Sequence, residues 1–380
     1  MKFLHLADLH IGKRVHEASM IDEQRRILAT IVDSARTESV DAVLIAGDVF
    51  DRMVPSTEAL GVCQQFFSSL LKIHVPIFCI AGNHDSADRL SFCSPFMEDQ
   101  GIHIAPPYTG TISTYCFHDQ EGDVLIHLLP FIKATDARMA FPQEADDIHT
   151  VNDAVRIALA HHPIDTSKRN ILLSHQFVID GSENPTTCDS ETISVGGIDG
   201  VQASLFDEYS YVALGHIHSH QQVRRPEVRY CGTPLAYSFS ECSRPKTLSI
   251  VNIDGQDHVT IREQELHPHH TMREIKTSFE QISKGCDTLP HDDYVHVTLT
   301  DEALFDAAER VRAFYPNMLR LDFASQVYAS ADDTAQSVKP DRSPLQLFDD
   351  FYHDQTGKDL TETQTALVQQ TIETTREAKE

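Results

Sequence analysis

The sequence predicts a layered α/β fold built on parallel strands, followed by a smaller α/β unit and a helical tail. Over roughly the first 260 of the 380 residues, short apolar runs alternate with longer segments of helical spacing. A strand–helix–strand order of this kind requires parallel pairing and helices packed on the sheet. The hydrophobic fraction of 41% and the charged fraction of 23% are those of a globular chain, which excludes a mainly disordered or fibrous protein.

The elements of the large unit follow from the spacing of apolar residues. Residues 22–38 and 57–73 have apolar side chains three and four positions apart, which predicts helices. Strands are predicted where short β-rich apolar runs occur, at residues 2–7, 41–46, 76–81, 124–129, 171–174, 211–214 and 246–253.

The remainder of the chain divides into two further parts. The stretch 267–270 (His-Pro-His-His) interrupts the pattern, and beyond it we expect a helix at 273–282, a strand at 294–299, a helix at 301–315 and a strand at 318–324. Residues 330–343 are polar and predict a linker. An apolar stripe follows, and then a helix that Thr361 and Gln364 would open at capping-box spacing. The expected domains are 1–262, 263–330 and 331–380.

Charge and cysteine content restrict the class of protein. The net charge is −26, so a polyanionic substrate must meet local positive charge from bound metals or from a few Lys and Arg side chains. The 8 cysteines form no CxxC pair, which argues against a zinc ribbon or a disulfide scaffold. No apolar run approaches the ~18 residues of a membrane span, and His5 and Asp8 interrupt the N-terminus too early for a signal peptide. We therefore expect a cytoplasmic protein without membrane contact.

Polar side chains follow five of the predicted strands at the point where each strand ends. In open α/β sheets ligands bind at the carboxyl ends of strands, so these side chains are expected to converge on one crevice. The five motifs are Asp8-Leu9-His10, Gly47-Asp48-Val49-Phe50-Asp51, Gly82-Asn83-His84-Asp85, Ser174-His175 and Gly215-His216-Ile217-His218.

The residue types in these motifs indicate a metal centre. Carboxylate, amide and imidazole donors without a thiolate suit a borderline divalent ion such as manganese, iron or zinc. They exceed the ligands of one tetrahedral site, so two ions sharing a carboxylate are the simplest interpretation, and such a pair can clamp a phosphoryl group for in-line attack. Gly47, Gly82 and Gly215 directly precede candidate ligands, where glycine is expected to let the chain turn sharply off a strand.

In this order the five motifs resemble the calcineurin-like metallophosphoesterase superfamily. Further stretches at 3–13, 189–191, 211–216, 230–241 and 343–352 are similar to one branch, the SbcD nuclease subunits of bacteria, so that the resemblance spans nearly the whole chain. It implies a layered metallophosphoesterase β-sandwich flanked by helices, with a small α/β capping domain and a helical C-terminal tail.

The resemblance also implies a reaction and a set of residue roles. The reaction is ATP-stimulated 3′→5′ exonuclease action on double-stranded DNA and endonuclease action on single strands and hairpins, in DNA repair and recombination, with two ions, most typically Mn²⁺. His84 would be catalytic, stabilising the transition state or protonating the leaving 3′-oxygen. The implied metal ligands are Asp8, His10 and His218 for one ion, Asp48 for both, and Asn83, His175 and His216 for the other.

The implied partners are DNA, a second copy of the chain and an SbcC-type ATPase. The ATPase would bind the tail stripe of Leu345, Phe348, Phe351 and Tyr352, although from the residues alone this stripe can equally fold back. Residues 57–73 and 88–97 would form the homodimer, or their apolar faces simply pack on the sheet.

Two other functions are kept open. Residues 47–52 also resemble a phosphatase pattern, so the alternative is a metallophosphatase or phosphodiesterase of the same superfamily acting on a non-DNA substrate. Against it, Met53 and Asp85 replace the glycine and glutamate of that pattern, and the additional α/β unit would have no role. A non-enzymatic scaffold would not need the complete ligand set.

Several neighbouring residues have simpler interpretations. Asp51 and Asp85 are expected to cap turns or orient ligands, and His5 to be hydrogen-bonded inside the fold. The histidines at 161–162 and 267–270 either hold a metal or are exposed without a ligand. Phosphate contacts or ordinary surface charge are equally expected for Lys13, Arg14, Arg89, Arg224, Arg225 and Arg229.

Overall fold

A computed structural model describes residues 1–191, 200–285, 287–301, 304–324, 345–346, 348–349, 352–353 and 359–377. The predicted linker at 330–343 and Phe351 of the tail stripe lie outside these residues. The chain forms two units, Met1–Asp322 and Phe323–Glu380. The domain boundaries expected near residues 262 and 330 stay predictions.

The described elements are numbered in chain order. The strands are β1 (Lys2–Leu6), β2 (Arg14–Val15), β3 (Ala18–Ser19), β4 (Ala42–Ala46), β5 (Ile77–Ile80), β6 (Ile102–Ile104), β7 (Ser113–Asp119), β8 (Gly122–Leu129), β9 (Arg169–Ser174), β10 (Val178–Ile179), β11 (Val201–Gln202), β12 (Tyr211–Leu214), β13 (Gln221–Val223), β14 (Arg225–Tyr230), β15 (Lys246–Ile253), β16 (Val259–Leu266), β17 (Met272–Thr277), β18 (Tyr294–Leu299) and β19 (Met318–Phe323). The helices are α1 (Ile21–Glu38), α2 (Thr57–Lys72), α3 (Ala87–Leu90), α4 (Ser94–Met97), α5 (Ala134–Ala140), α6 (Val151–Ala160), α7 (Phe279–Ser283), α8 (Ala307–Arg312) and α9 (Glu362–Glu377).

Two six-stranded sheets make up the large unit. The first has the order β16-β15-β1-β4-β5-β6, and the second has the order β13-β14-β12-β9-β8-β7. In the first sheet β1, β4, β5 and β6 run parallel, and β15 and β16 complete it in antiparallel fashion. In the second sheet β8, β9, β12 and β14 run parallel between antiparallel edge strands. The expected parallel α/β arrangement is therefore confirmed.

Alternating side chains of the central strands divide the core into layers. On β4, Leu44 packs between the sheets together with Ile171 and Leu173 of β9. Val43 and Ile45 point the opposite way, into the cluster that α1 and α2 cover. Leu172 of β9 likewise faces the outer cluster beneath α6. Because side chains alternate along a strand, both faces of each sheet are buried, and the result is a β-sandwich flanked by helices.

The structure corrects one predicted element of the smaller unit. The first half of the predicted helix at 273–282 is strand β17, which pairs in parallel with β18. Only the end of that range is helical, in the short helix α7, which a capping box of Ser278 and Gln281 opens. Along β17 the exposed Glu274 and Lys276 alternate with half-buried residues, a period of two that the helical interpretation overlooked. The next predicted helix is shorter than expected, at Ala307–Arg312. A third sheet has the order β17-β18-β19.

The predicted capping box is present in the tail, where Gln364 Oε1 accepts from the Thr361 backbone N–H at 2.9 Å and Thr361 Oγ1 accepts from that of Gln364 at 3.4 Å. The seven cysteines that the structure describes are free thiols. No helix among the described residues is both long and apolar enough to cross a bilayer.

Candidate metal centre

The predicted ligands meet where the parallel strands of the two sheets end. The loops after β1 and β4 run side by side, because Asp8 and His10 donate their backbone N–H groups to the carbonyls of Gly47 and Asp48 at 3.0 and 2.9 Å. Asp8, His10, Asp48 and His216 all adopt positive φ angles, of 53°, 43°, 49° and 101°. Each such angle costs about 1–2 kcal/mol in a non-glycine residue, and strain of this kind concentrates at functional sites.

Of the three glycines that precede candidate ligands, only one makes the expected sharp turn. Gly47 has a φ of 91° and makes the predicted sharp turn. Gly82 and Gly215 have no such angle and are needed for space. A Cβ on Gly82 would overlap the Asp48 backbone and carboxylate, and one on Gly215 would overlap the Ala46 carbonyl oxygen. These two glycines therefore let the loops of different strands approach each other.

Replacing Gly215 is expected to destabilise the fold. In Gly215→Ala the new methyl group would meet a backbone oxygen that cannot rotate away, so we expect a loss of about 1–3 kcal/mol in the free energy of unfolding. The matched control is Gly61→Ala in α2, where a Cβ meets nothing within 4 Å. That change should stabilise the protein by about 0.5–1 kcal/mol. Denaturant unfolding measures both, and equal effects of the two changes would contradict the close-approach argument.

One group of donor atoms lies around Asp8, His10 and His218. Each of these residues brings a ligand atom within 4.8 Å of the other two. His10 Nε2 is 3.2 Å from His218 Nε2 and 3.7 Å from Asp48 Oδ2. The Asp8 carboxylate accepts the backbone N–H of His216 at 3.0 Å, which fixes its direction.

A second group lies around Asn83 on the other side of Asp48. Asn83 Oδ1 is 3.1 Å from His175 Nε2 and 2.9 Å from His216 Nδ1. His175 Nε2 is also 3.3 Å from Asp48 Oδ2. Asp48 therefore stands between the two groups, so that all seven predicted ligands converge.

The electrostatics of this cluster fit bound cations. His10 and His218 direct imidazole nitrogens at each other, and the buried His10 Nδ1 has no hydrogen-bond partner in the described structure. Burial raises the pKa of Asp8 to about 7 and lowers that of His216 to about 3. Burial also lowers the pKa of His175, but the nearby Asp48 and Asp8 carboxylates outweigh it and raise that pKa to about 9. A divalent ion bound between these groups would displace the proton that the raised pKa lets His175 hold, because metal binding to imidazole releases protons.

Comparison with known proteins identifies the family of the chain. Residues 1–220, more than half of the chain, match the model of the calcineurin-like phosphoesterases. The chain belongs to the calcineurin-like phosphoesterase family. Residues 268–356 match a second model, SbcD_C, described as the type 5 capsule protein repressor C-terminal domain.

One relative agrees with this assignment along nearly its whole length. The phosphoesterase chain is 28% identical to the SbcD component of the nuclease SbcCD of Staphylococcus saprophyticus, over 97% of each chain, and the predicted resemblance is thereby confirmed. Two solved structures are more distant. A dimetal phosphatase from Danio rerio is 13% identical, with 70% of this chain and 96% of that one covered at a TM-score of 0.42. The phosphoesterase YfcE from E. coli is 9% identical, with 70% and 100% covered at a TM-score of 0.27.

His84 lies beside the phosphoesterase cluster with one ring nitrogen available. Its backbone N–H donates to Asp48 Oδ1 at 2.8 Å, and its Nδ1 is 3.1 Å from the Asp51 carbonyl oxygen. Because a carbonyl oxygen only accepts, Nδ1 carries the proton of the neutral ring and Nε2 can exchange a proton with a substrate. His84, His10 and Asp48 also bring ligand atoms within 4.8 Å of one another, so the geometry alone does not assign His84 to catalysis.

Two acidic residues brace the loops of the phosphoesterase centre, as the sequence predicts. Asp85 accepts the backbone N–H groups of Val49, Phe50 and Gly82 at 2.9–3.0 Å and so joins the loops after β4 and β5. Asp51 Oδ1 is 2.8 Å from Lys13 Nζ. His5 also behaves as expected, because it is buried in the fold with Nδ1 2.8 Å from the Tyr211 hydroxyl oxygen.

Sequence reasoning missed the group that holds His218. Ser190 Oγ lies 2.7 Å from His218 Nδ1 and donates to Glu241 Oε1 at 2.6 Å, and Glu191 Oε1 accepts the His218 backbone N–H at 2.6 Å. Lys246 forms an ion pair with the buried Glu241. Ligating histidines are commonly oriented through their second nitrogen in this way. No periodic pattern marks these residues. The available signal was the resemblance, because Ser190, Glu191 and Glu241 lie in the similar stretches 189–191 and 230–241.

Several arginines considered for phosphate contacts are paired with acidic groups. Arg224 Nη2 is 3.0 Å from Asp207 Oδ2, and Arg225 Nη1 is 3.3 Å from Glu227 Oε2. Arg229 is buried and forms an ion pair with Glu263. These contacts favour a structural role for the three arginines over a phosphate contact.

Proposed function

We propose that this phosphoesterase is the nuclease subunit of an SbcCD-type complex and hydrolyses DNA phosphodiester bonds with two divalent ions, for which we propose Mn²⁺. The observation that carries the proposal is the likeness to an SbcD nuclease component along 97% of both chains. The convergence of seven oxygen and nitrogen donors at the strand ends supports the two-ion chemistry.

Each residue of the cluster has a part in the proposed reaction. Asp8, His10 and His218 would hold one ion, Asn83, His175 and His216 the other, and Asp48 both. When bound, the ions would supply Lewis-acid activation of the phosphoryl group and of the attacking water. With both ring nitrogens protonated, His84 would deliver the Nε2 proton to the leaving 3′-oxygen. The neutral ring left behind keeps its proton on Nδ1, where the Asp51 carbonyl holds the ring in one orientation. Asp85 keeps the two loops that carry Asp48 and His84 at a fixed separation.

A substrate comparison tests this function. Purified protein with Mn²⁺ is given 5′-labelled linear duplex DNA, a labelled hairpin and p-nitrophenyl phosphate. The proposal expects shortening of the labelled strand from its 3′ end and cleavage of the hairpin, both stimulated by ATP when the ATPase is present. Rapid p-nitrophenyl phosphate turnover without DNA cleavage would instead support the alternative, a metallophosphatase acting on a non-DNA substrate.

The tail is proposed to bind an SbcC-type ATPase. The SbcD_C match extends from residue 268 to 356 and so reaches into the tail stripe. We expect a chain truncated after residue 342 to bind as many metal ions as the full chain but to lose the ATPase in co-purification. Metal content serves as the folding control. Co-purification of the truncated chain with the ATPase would overturn this part of the proposal.

A homodimer is proposed to form through residues 88–97. Phe92 and Phe96 in this segment are 77% and 83% exposed, and large apolar side chains so exposed often mark an interface. The other predicted dimer segment differs, because Val62, Phe66 and Leu70 of α2 are buried on the first sheet. The apolar face of α2 therefore packs within the chain.

A further inference from the structure

A second cluster of metal-ligating side chains lies on the outer face of the second sheet. It consists of Thr114 on β7, His127 on β8 and His162, two residues after α6. His127 Nδ1 is 2.9 Å from His162 Nε2, and Thr114 Oγ1 is 3.0 Å from the first nitrogen and 3.2 Å from the second. Three potential donor atoms thus form a nearly equilateral triangle.

The fold brings these side chains together by ordinary strand and helix geometry. Thr114 and His127 are directly opposite on the antiparallel pair β7–β8, so their side chains share a face. Ile126 and Leu128 point into the core between the sheets, which places His127 on the other face. The chain turns at the end of α6, where the His162 N–H donates to the Leu159 carbonyl at 2.9 Å, and this turn lays His162 over the sheet.

Asn170 fixes which nitrogen of His127 carries the proton. Its Nδ2 donates to the carbonyls of Asp165 and Lys168 at 3.0 and 2.7 Å, so its Oδ1 is the acceptor facing His127 Nε2 at 3.0 Å. His127 Nε2 must therefore donate, and Nδ1 of the neutral ring keeps its lone pair. His127 is only 2% exposed, and this burial lowers its pKa to about 4, which keeps the ring neutral near pH 7. A ligating histidine held by a hydrogen bond from its other nitrogen has this arrangement.

We propose that His127 Nδ1, His162 Nε2 and Thr114 Oγ1 bind one zinc-like divalent transition-metal ion, with water in the remaining positions. Ligand atoms about 2.1 Å from an ion are about 3.0–3.4 Å apart for coordination angles between 90° and 109°, which the three separations approach. Imidazole is a favoured donor for such ions. Thr114 is exposed and His162 is half-buried, which gives the ion an entry path.

The surroundings of the cluster also favour a cation. The C-terminal end of α6 lies next to His162 and carries the negative end of the helix dipole. A bound ion would tie this helix end to β7 and β8, so its expected effect is on stability. The neighbouring His161 is engaged elsewhere, since its Nε2 is 2.6 Å from Glu144 Oε1 and its ring stacks on Phe141. The two adjacent histidines singled out in the sequence thus have separate environments.

Zinc stoichiometry of the full chain tests the proposal. Wild type, His162→Gln and the matched control His161→Gln are dialysed against the same free Zn²⁺ concentration near pH 7, and bound zinc per chain is measured. We expect His162→Gln to bind one ion fewer than wild type, and His161→Gln to bind as many as wild type. Equal zinc content of wild type and His162→Gln, or an equal loss in both variants, would refute the site.

Thermal unfolding of a second variant shows whether a loss of zinc reflects a lost ligand or a misfolded protein. Without zinc, Thr114→Val should change the unfolding temperature little, because this side chain is exposed and His162 Nε2 stays 2.9 Å from the buried His127 Nδ1. With zinc, Thr114→Val should bind this ion with a dissociation constant about tenfold larger than that of wild type. The zinc-dependent rise in the unfolding temperature of this variant should be correspondingly smaller. A zinc-dependent rise in Thr114→Val equal to that of wild type would count against the proposed ligand set.

Discussion

Asp48→Asn is expected to lower the rate of DNA hydrolysis by about 10³-fold or more and to reduce the metal content of the protein. Asp48 Oδ2 lies 3.7 Å from His10 Nε2 and 3.3 Å from His175 Nε2, so its carboxylate belongs to both donor groups. An amide removes the negative charge and presents N–H donors to one of them. Charge stabilisation by bound metals is worth several kcal/mol, and each 1.36 kcal/mol corresponds to a tenfold rate change.

The matched control for this variant lies at the opposite end of the same strand. Asp41 precedes β4, where its carboxylate accepts the backbone N–H of Lys2 at 2.7 Å, far along the strand from the donor cluster. Asp41→Asn should keep the wild-type rate and metal content. Metal analysis together with cleavage of labelled duplex DNA measures both variants. Two ions and an undiminished rate in Asp48→Asn would disprove the bridging role proposed for Asp48.

His84→Ala is expected to keep both metal ions and to lower DNA hydrolysis by about 10²–10⁴-fold, the usual contribution of a general acid. Its Nδ1 faces the Asp51 carbonyl, so the ring is held in place by a backbone oxygen while Nε2 remains available to a leaving group. The variant also leaves intact the backbone N–H that supports Asp48, because that bond does not involve the side chain.

The metal content of His84→Ala distinguishes a His84 that donates a proton from a His84 that binds a metal ion. His84, His10 and Asp48 form one of the possible ligand groups, so loss of an ion in His84→Ala would make His84 a ligand instead of a proton donor. Unchanged metal content with a wild-type rate would remove it from the mechanism altogether. His74→Ala is the matched control, since this exposed histidine precedes β5 and the motif of His84 follows the same strand. It should retain the wild-type rate.

Much of this molecule could be predicted from the chain because its signals are local. Strand β4 is a run of five apolar residues, and such a run with a helix on either side indicates a buried parallel strand. Residues that closely follow a strand of this type lie at its carboxyl end. Asp8 and Asp48 come two residues after β1 and β4, so they could be placed in one crevice without coordinates. The same rule places His175 and His216 together, because they follow the parallel strands β9 and β12 of the second sheet. Only the packing of the two sheets brings that pair to Asp8 and Asp48.

The tertiary structure alone decided which contacts hold these residues in place. Gly215 is a glycine because the Ala46 carbonyl of a distant strand occupies the space of its Cβ, and Glu241 supports His218 through Ser190 across three separate loops. The adjacent His161 and His162 differ in the same way, since one meets Glu144 and the other meets His127. Periodicity and capping express interactions within a few residues, whereas these contacts join residues that only the packing of two sheets brings together. For that reason the sequence determined the layered α/β class and the ligand types, and the fold decided the support of the centre and the position of the second cluster.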